Sequence, residues 1–152
     1  MDKKRKRVVI ILSFVIIFTL AFIWIHSCMD MEESSEESGF FFEILCPFLE
    51  LFVGKGNATE LLLRKLAHFT EFFVLGLELI LYMRMIIKAS KPILMINAWV
   101  FGTLCALIDE TVQIFSGRGS MIADVWLDSA GCFCGVGIMM CVIMIVERKK
   151  KK

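Results

Sequence analysis

The sequence predicts an all-α polytopic membrane protein: four transmembrane helices plus an interfacial or re-entrant segment in the first outer loop. Three observations carry that reading. Of the 152 residues, 58% are hydrophobic and the mean hydropathy is +0.75, where a soluble domain is nearer half apolar. Four apolar runs approach the roughly 20 residues that a helix needs to cross a bilayer core. The charges are segregated: "KKRKR" opens the chain, a Lys-rich run after Glu147 closes it, and "DMEESSEES" forms an acidic block between them. The formal net charge of +1 therefore says little.

The chain reads as one domain, 1–152, with spans at about 8–25, 66–87, 93–114 and 125–146 and an outer loop at 26–65. The run 8–25 holds no charged residue. Its basic start is that of a signal peptide, but the apolar stretch is long and "IHSCMD" is a poor cleavage site, so a retained span is expected. In the outer loop, Asp30–Ser38 is expected to be solvated and flexible. "FFFEILCPFLELFVG" (Phe40–Gly54) is apolar but broken by Glu43, Pro47 and Glu50, which suits an interfacial helix or a cap over the bundle. In lipid every backbone polar group must be bonded within its own segment or barrel, so the four runs are helices. With four spans, the N-terminal basic cluster, the Arg84–Lys88–Lys91 loop and the C-terminal Lys run share one side. Lys and Arg excess marks the cytoplasm, which places both termini there and the chain in the cell membrane.

Several functions lack support. "GKGN" (Gly54–Asn57) does not have the spacing of a phosphate-binding loop, and no nucleic-acid partner is expected. Cys105, Cys132, Cys134 and Cys141 lie in apolar runs, where thiols act as small hydrophobes. Only Cys28 and Cys46 could face an oxidising space, and Cys132–Cys134 lacks the paired spacing of a zinc site. Neither a metal nor a cofactor is expected. "NAT" at Asn57–Thr59 matches a glycosylation sequon too short to carry weight.

The polar residues are more informative. His68 and Glu71 share a helix face that Glu78 and Tyr82 continue. Asp109 and Gln113 also share a face, with Glu110 about 100° away, and Asp124 and Asp128 stack one turn apart. With Lys65 and the loop residue Arg118, these groups come from three helix ends and one loop to the outer side, forming a polar cup. An ionised side chain at a helix centre costs about 2.5–3.5 kcal/mol on insertion scales. Such a cluster is therefore either a functional pocket or an ion-pair and hydrogen-bond clasp that locks the helix ends. Glu78 lies deeper and is expected to bond to a neighbouring helix. Gly131 and Gly135 form a small-xxx-small pattern that lets another helix approach, within the chain or in an oligomer. Gly76, Gly102 and Gly137 suggest similar packing.

At "RKLAHFTEFFVLG" (Arg64–Gly76) and "DETVQIFSGRGSMIADVWLDSAGCFCG" (Asp109–Gly135) the sequence resembles the VanZ-like family of small bacterial membrane proteins. Lys65 and His68 match the family's Lys-x-x-His, and Glu71 fits an acid common just after it. Asp109, Glu110 and Gln113 match its Asp-Glu-x-x-Gln, followed by Arg118, Asp124, Gly131 and Gly135. Asp128 stands where the family pattern has Asn, and Phe73 where an aromatic such as Tyr is usual. "SSEES" is a weaker echo of a Ser-rich segment in the first outer loop. The family takes its name from a member linked to resistance to teicoplanin, a lipid-tailed glycopeptide. The resemblance implies a cell-envelope role but supplies no mechanism.

Two readings stay open. In the first, Lys65, His68, Glu71, Asp109, Glu110, Gln113, Arg118 and Asp124 bind the polar part of a lipid-linked wall precursor or lipoglycopeptide, with membrane lipids as neighbours. In the second, His68, Glu71, Asp109, Glu110 and Asp124 serve a metal-assisted hydrolase or transferase acting on a lipid-linked substrate. Binding is favoured over catalysis, because no recognised metal signature or nucleophile is evident.

Overall fold

The computed structural model describes residues 2–28, 31–115 and 122–150, with the side chains of 31–38, 40 and 52 left outside that description. It contains α1 (Lys3–Cys28), α2 (Met31–Val53), α3 (Glu60–Ile86), α4 (Lys91–Phe115) and α5 (Ile122–Lys150), and no strand among the described residues. Helices α1, α3, α4 and α5 are each long and apolar enough to cross a membrane. All four outrun the apolar stretches that announced them. Hydropathy marks only the part suited to hydrocarbon, whereas a helix once nucleated propagates through neighbouring polar residues.

Helix α2 differs from the expectation in one respect. The acidic stretch is not an irregular linker: residues 31–38 form the first turns of a helix that continues through Phe40–Val53. Glutamate is a good helix former, and negative charge is favoured near a helix N-terminus. Pro47 lies inside α2 and removes one ladder donor. The helix stops at Gly54, whose φ of +88° is cheap only for glycine. Helix α3 then begins at an N-cap, where the Thr59 side chain accepts from the Leu62 N–H at 3.1 Å, worth about 1 kcal/mol. Helix α2 packs on α3.

The core lies between α3, α4 and α5, with α1 laid along α3 and α4. Phe72, Leu75, Leu79 and Ile80 of α3 meet Ala98 and Ala106 of α4 and Cys132 and Val136 of α5, all buried. The α3–α5 crossing is backbone against backbone. A Cβ at Gly131 would meet the Phe69 carbonyl, one at Gly135 the Phe73 carbonyl, and one at Gly76 the Cys132 carbonyl. The close approach expected of these glycines is thus made inside the chain, where dispersion between adjacent helices stands in for the missing hydrophobic drive in lipid. Facing outward are Phe14, Phe18, Ile25, Val100, Ile138 and many other exposed apolar side chains, as a lipid-facing surface requires.

Charge gathers at the two ends. At one, the Arg5 guanidinium donates twice to the Met85 carbonyl, at 2.9 and 2.6 Å. Beside it, Glu147 receives Arg84 at 2.5 Å and Lys91 at 2.8 Å. That end unites the starts of α1 and α4 with the ends of α3 and α5, so the four long helices alternate in direction. The opposite end holds the polar cup.

Candidate functional site

The cup is built from the end of α1, the first turns of α3, the last turns of α4 and the start of α5. At its centre Asp109, with no exposed surface, is held from two sides. Ser27 Oγ donates to its Oδ1 at 2.6 Å, and Gln113 Nε2 to its Oδ2 at 2.8 Å. The i,i+4 spacing of Asp109 and Gln113 puts that amide on the same face. His68 Nδ1 lies 3.8 Å from Asp109 Oδ2 and 3.9 Å from Glu71 Oε2. Glu110 is 5% exposed. One turn nearer the rim, Lys65 Nζ meets Asp124 Oδ1 at 2.7 Å, joining α3 to α5. Thus His68, Glu71, Asp109 and Gln113 converge, Glu110 is buried beside them on α4, and Lys65 with Asp124 forms a half-buried pair. Arg118 lies outside the described residues.

One member of the cup is hidden from the sequence, and another is placed by it without a role. The apolar run ends at Ile25 and so assigns Ser27 to the outer loop, yet α1 continues to Cys28 and buries that hydroxyl completely. Asp128, whose role the sequence left open, is 1% exposed. Neither of its carboxylate oxygens has a hydrogen-bond partner among the described residues. One ligating atom from each of His68, Asp109 and Asp128 can be chosen so that all three lie within 4.8 Å of one another. Of the groups that could hold a metal, this trio is the one found among the described residues.

An apolar groove adjoins the cup. It has a volume of about 620 Å³ and runs between α1, α2 and α3, with Phe18, Phe22, Phe48, Leu49, Leu66 and Ala67 among its walls. Glu71 lines the groove and also stands against His68 in the cup. Small-molecule sites span roughly 300–1,000 Å³. The combined site is amphipathic, an open apolar groove that shares Glu71 with the charged cup.

Deeper in the bundle, Glu78 accepts a hydrogen bond from Thr19 of α1 at 2.9 Å, the neighbouring-helix bond expected of it. Trp99 donates to Ser129 at 2.9 Å, and Ser129 and Thr103 lie 2.8 Å apart. All six cysteines are free.

A family model described as VanZ/LLP1 matches residues 11–145. The chain belongs to this family. No curated protein and no solved structure matches it. The VanZ/LLP1 match takes in every residue of the cup and groove named above, and most of each membrane-spanning helix. In this VanZ/LLP1 protein the two motif blocks of the sequence meet in space, with His68 of the first block beside Asp109 of the second.

Proposed function

We propose that this protein binds an amphiphile at the outer membrane face: a lipid-linked cell-envelope precursor or a lipid-tailed glycopeptide. The carrying observation is the double position of Glu71, which lines the apolar groove and borders the charged cup at His68. An acyl or polyprenyl chain suits the groove. The cup, with Lys65, His68 and carboxylates near the starts of α3 and α5, offers partners for both anionic and amino or hydroxyl groups of a head. Helix N-termini favour the anionic part. The reading takes the cup end as extracytoplasmic, because Lys3–Arg7 at the start of α1, Lys88 after α3 and Lys149 and Lys150 at the end of α5 lie at the other end. A contribution to teicoplanin resistance follows if the bound amphiphile is the drug or its target.

The test uses purified protein in nanodiscs, titrated with teicoplanin, with a glycopeptide lacking an acyl tail, and with a lipid-linked wall precursor. Ala67→Trp, which fills the groove, should weaken binding of the tailed ligands about tenfold or more, since a large apolar contact is lost. The tailless glycopeptide should bind neither protein. Equal affinity of Ala67→Trp and the parent chain for every tailed ligand would defeat the reading.

A further inference from the structure

We propose that His68, Asp109 and Asp128 bind a divalent first-row cation of the Mn²⁺ to Zn²⁺ type at the floor of the cup. The proposal goes beyond amphiphile binding and does not depend on it. It begins with Asp128. This carboxyl is 1% exposed and has no hydrogen-bond partner on either oxygen among the described residues. Buried polar groups in folded proteins are nearly always satisfied, and a buried carboxylate without donors is costly. A purely structural clasp between helix ends would need a donor to Asp128, and none reaches it among the described residues. Its neighbour on α5 shows the contrast, because Ser129 is bonded to Trp99.

The geometry supplies the missing partner. A cation with bonds of about 2.0–2.2 Å sets adjacent ligand atoms about 3–3.5 Å apart. His68 and Asp109 stand at 3.8 Å, and the full trio fits within 4.8 Å, so small side-chain rotations close the shell. The donor set narrows the metal. Mg²⁺ and Ca²⁺ take oxygen ligands, whereas one imidazole with two carboxylates suits Mn²⁺, Fe²⁺ or Zn²⁺. Asp109 is already oriented for ligation, because Ser27 and Gln113 hold its two oxygens. Such outer partners fix the ligand before the ion arrives.

Full-length protein, purified in detergent micelles and stripped with a chelator, is titrated with Mn²⁺ alone and followed by electron paramagnetic resonance. One saturable Mn²⁺ per chain is expected, with a nitrogen coupling that Asp128→Asn retains and His68→Gln removes. Both variants should bind about tenfold or more weakly. Zn²⁺ should displace the Mn²⁺, and Mg²⁺ at the same concentration should not. Asp128→Asn keeps the side-chain size and removes a ligand oxygen, so its Tm should match the parent's in chelator and lie below it in saturating Mn²⁺, since an ion bound to the folded state stabilises it. Ala67→Trp should bind Mn²⁺ like the parent, which separates this result from the fate of the amphiphile reading. The proposal is overturned if no saturable binding occurs, or if Asp128→Asn and His68→Gln both bind as the parent does, which would assign the ion to the acidic stretch Asp30–Ser38. Equal displacement by Mg²⁺ would remove His68 from the shell and overturn it as well.

Discussion

The hydroxyl of Ser27, in the last turn of α1, donates to Asp109 of α4 at 2.6 Å, and neither residue has exposed surface. A hydrogen bond to a carboxylate in such a place is worth about 1.5–3 kcal/mol, and breaking it leaves the acceptor short of a donor. Ser27→Ala should therefore lower the thermal stability of the purified protein by about that amount. Ser13→Ala is the control, because the Ser13 hydroxyl only returns to its own helix at the Val9 carbonyl, and that change should be nearly neutral. Similar melting shifts for the two variants would show that the Ser27 bond contributes little.

The α3–α5 crossing predicts opposite signs for two glycines on one helix. At Gly135 an added Cβ meets the Phe73 backbone, which has no freedom to retreat without parting the helices, whereas at Gly137 nothing lies within 4 Å. Gly135→Val should cost about 3 kcal/mol or more, at the upper end of overpacking penalties. Gly137→Ala should gain about 0.5–1 kcal/mol from helix propensity. Tm measurements in one detergent suffice to compare them.

The Lys65–Asp124 pair is short at 2.7 Å, but its side chains keep 32% and 22% of their exposure. Partly solvated pairs are worth about 1 kcal/mol or less. A double-mutant cycle with Lys65→Met and Asp124→Asn should return a coupling of that size, falling as salt is raised. A coupling several times larger would place the pair in a far drier environment than its exposure implies.

Orientation is open to direct measurement. Alkaline phosphatase fused after Asn57 should be active, because the α2–α3 connection lies at the cup end, and a fluorescent protein fused at the C-terminus should mature in the cytoplasm. The reverse pattern would put the cup inside the cell and remove the outer-leaflet reading with it.

The helical class and the four spans are legible because they rest on local quantities, run length and charge segregation, and the span count with i,i+3 and i,i+4 spacing brings His68 and Asp109 to the same end. What escaped depends on helix ends and on through-space pairing. Hydropathy ends the first span at Ile25, before the helix ends at Cys28, and so hides Ser27. The acidic stretch reads as a solvated linker by composition, yet glutamates also suit a helix start, and α2 takes that option. Asp128 could be placed on the right face from its spacing to Asp124, but its lack of a partner is a property of the assembled bundle. The groove could not be foreseen, since its walls come from α1, α2 and α3 and nothing in any one of them requires it.

Helix α1 is the least enclosed of the four long helices, and its polar fastenings are Arg5 to the Met85 carbonyl, Thr19 to Glu78 and Ser27 to Asp109. Every one of those acceptors is translated later than the segment it secures. During biogenesis Arg5 and Thr19 lack their acceptors until the second crossing is made, and Ser27 lacks Asp109 until the ribosome has delivered the third. Nascent chains arrested short of Asp109 should consequently be the ones that quality-control proteases reach first.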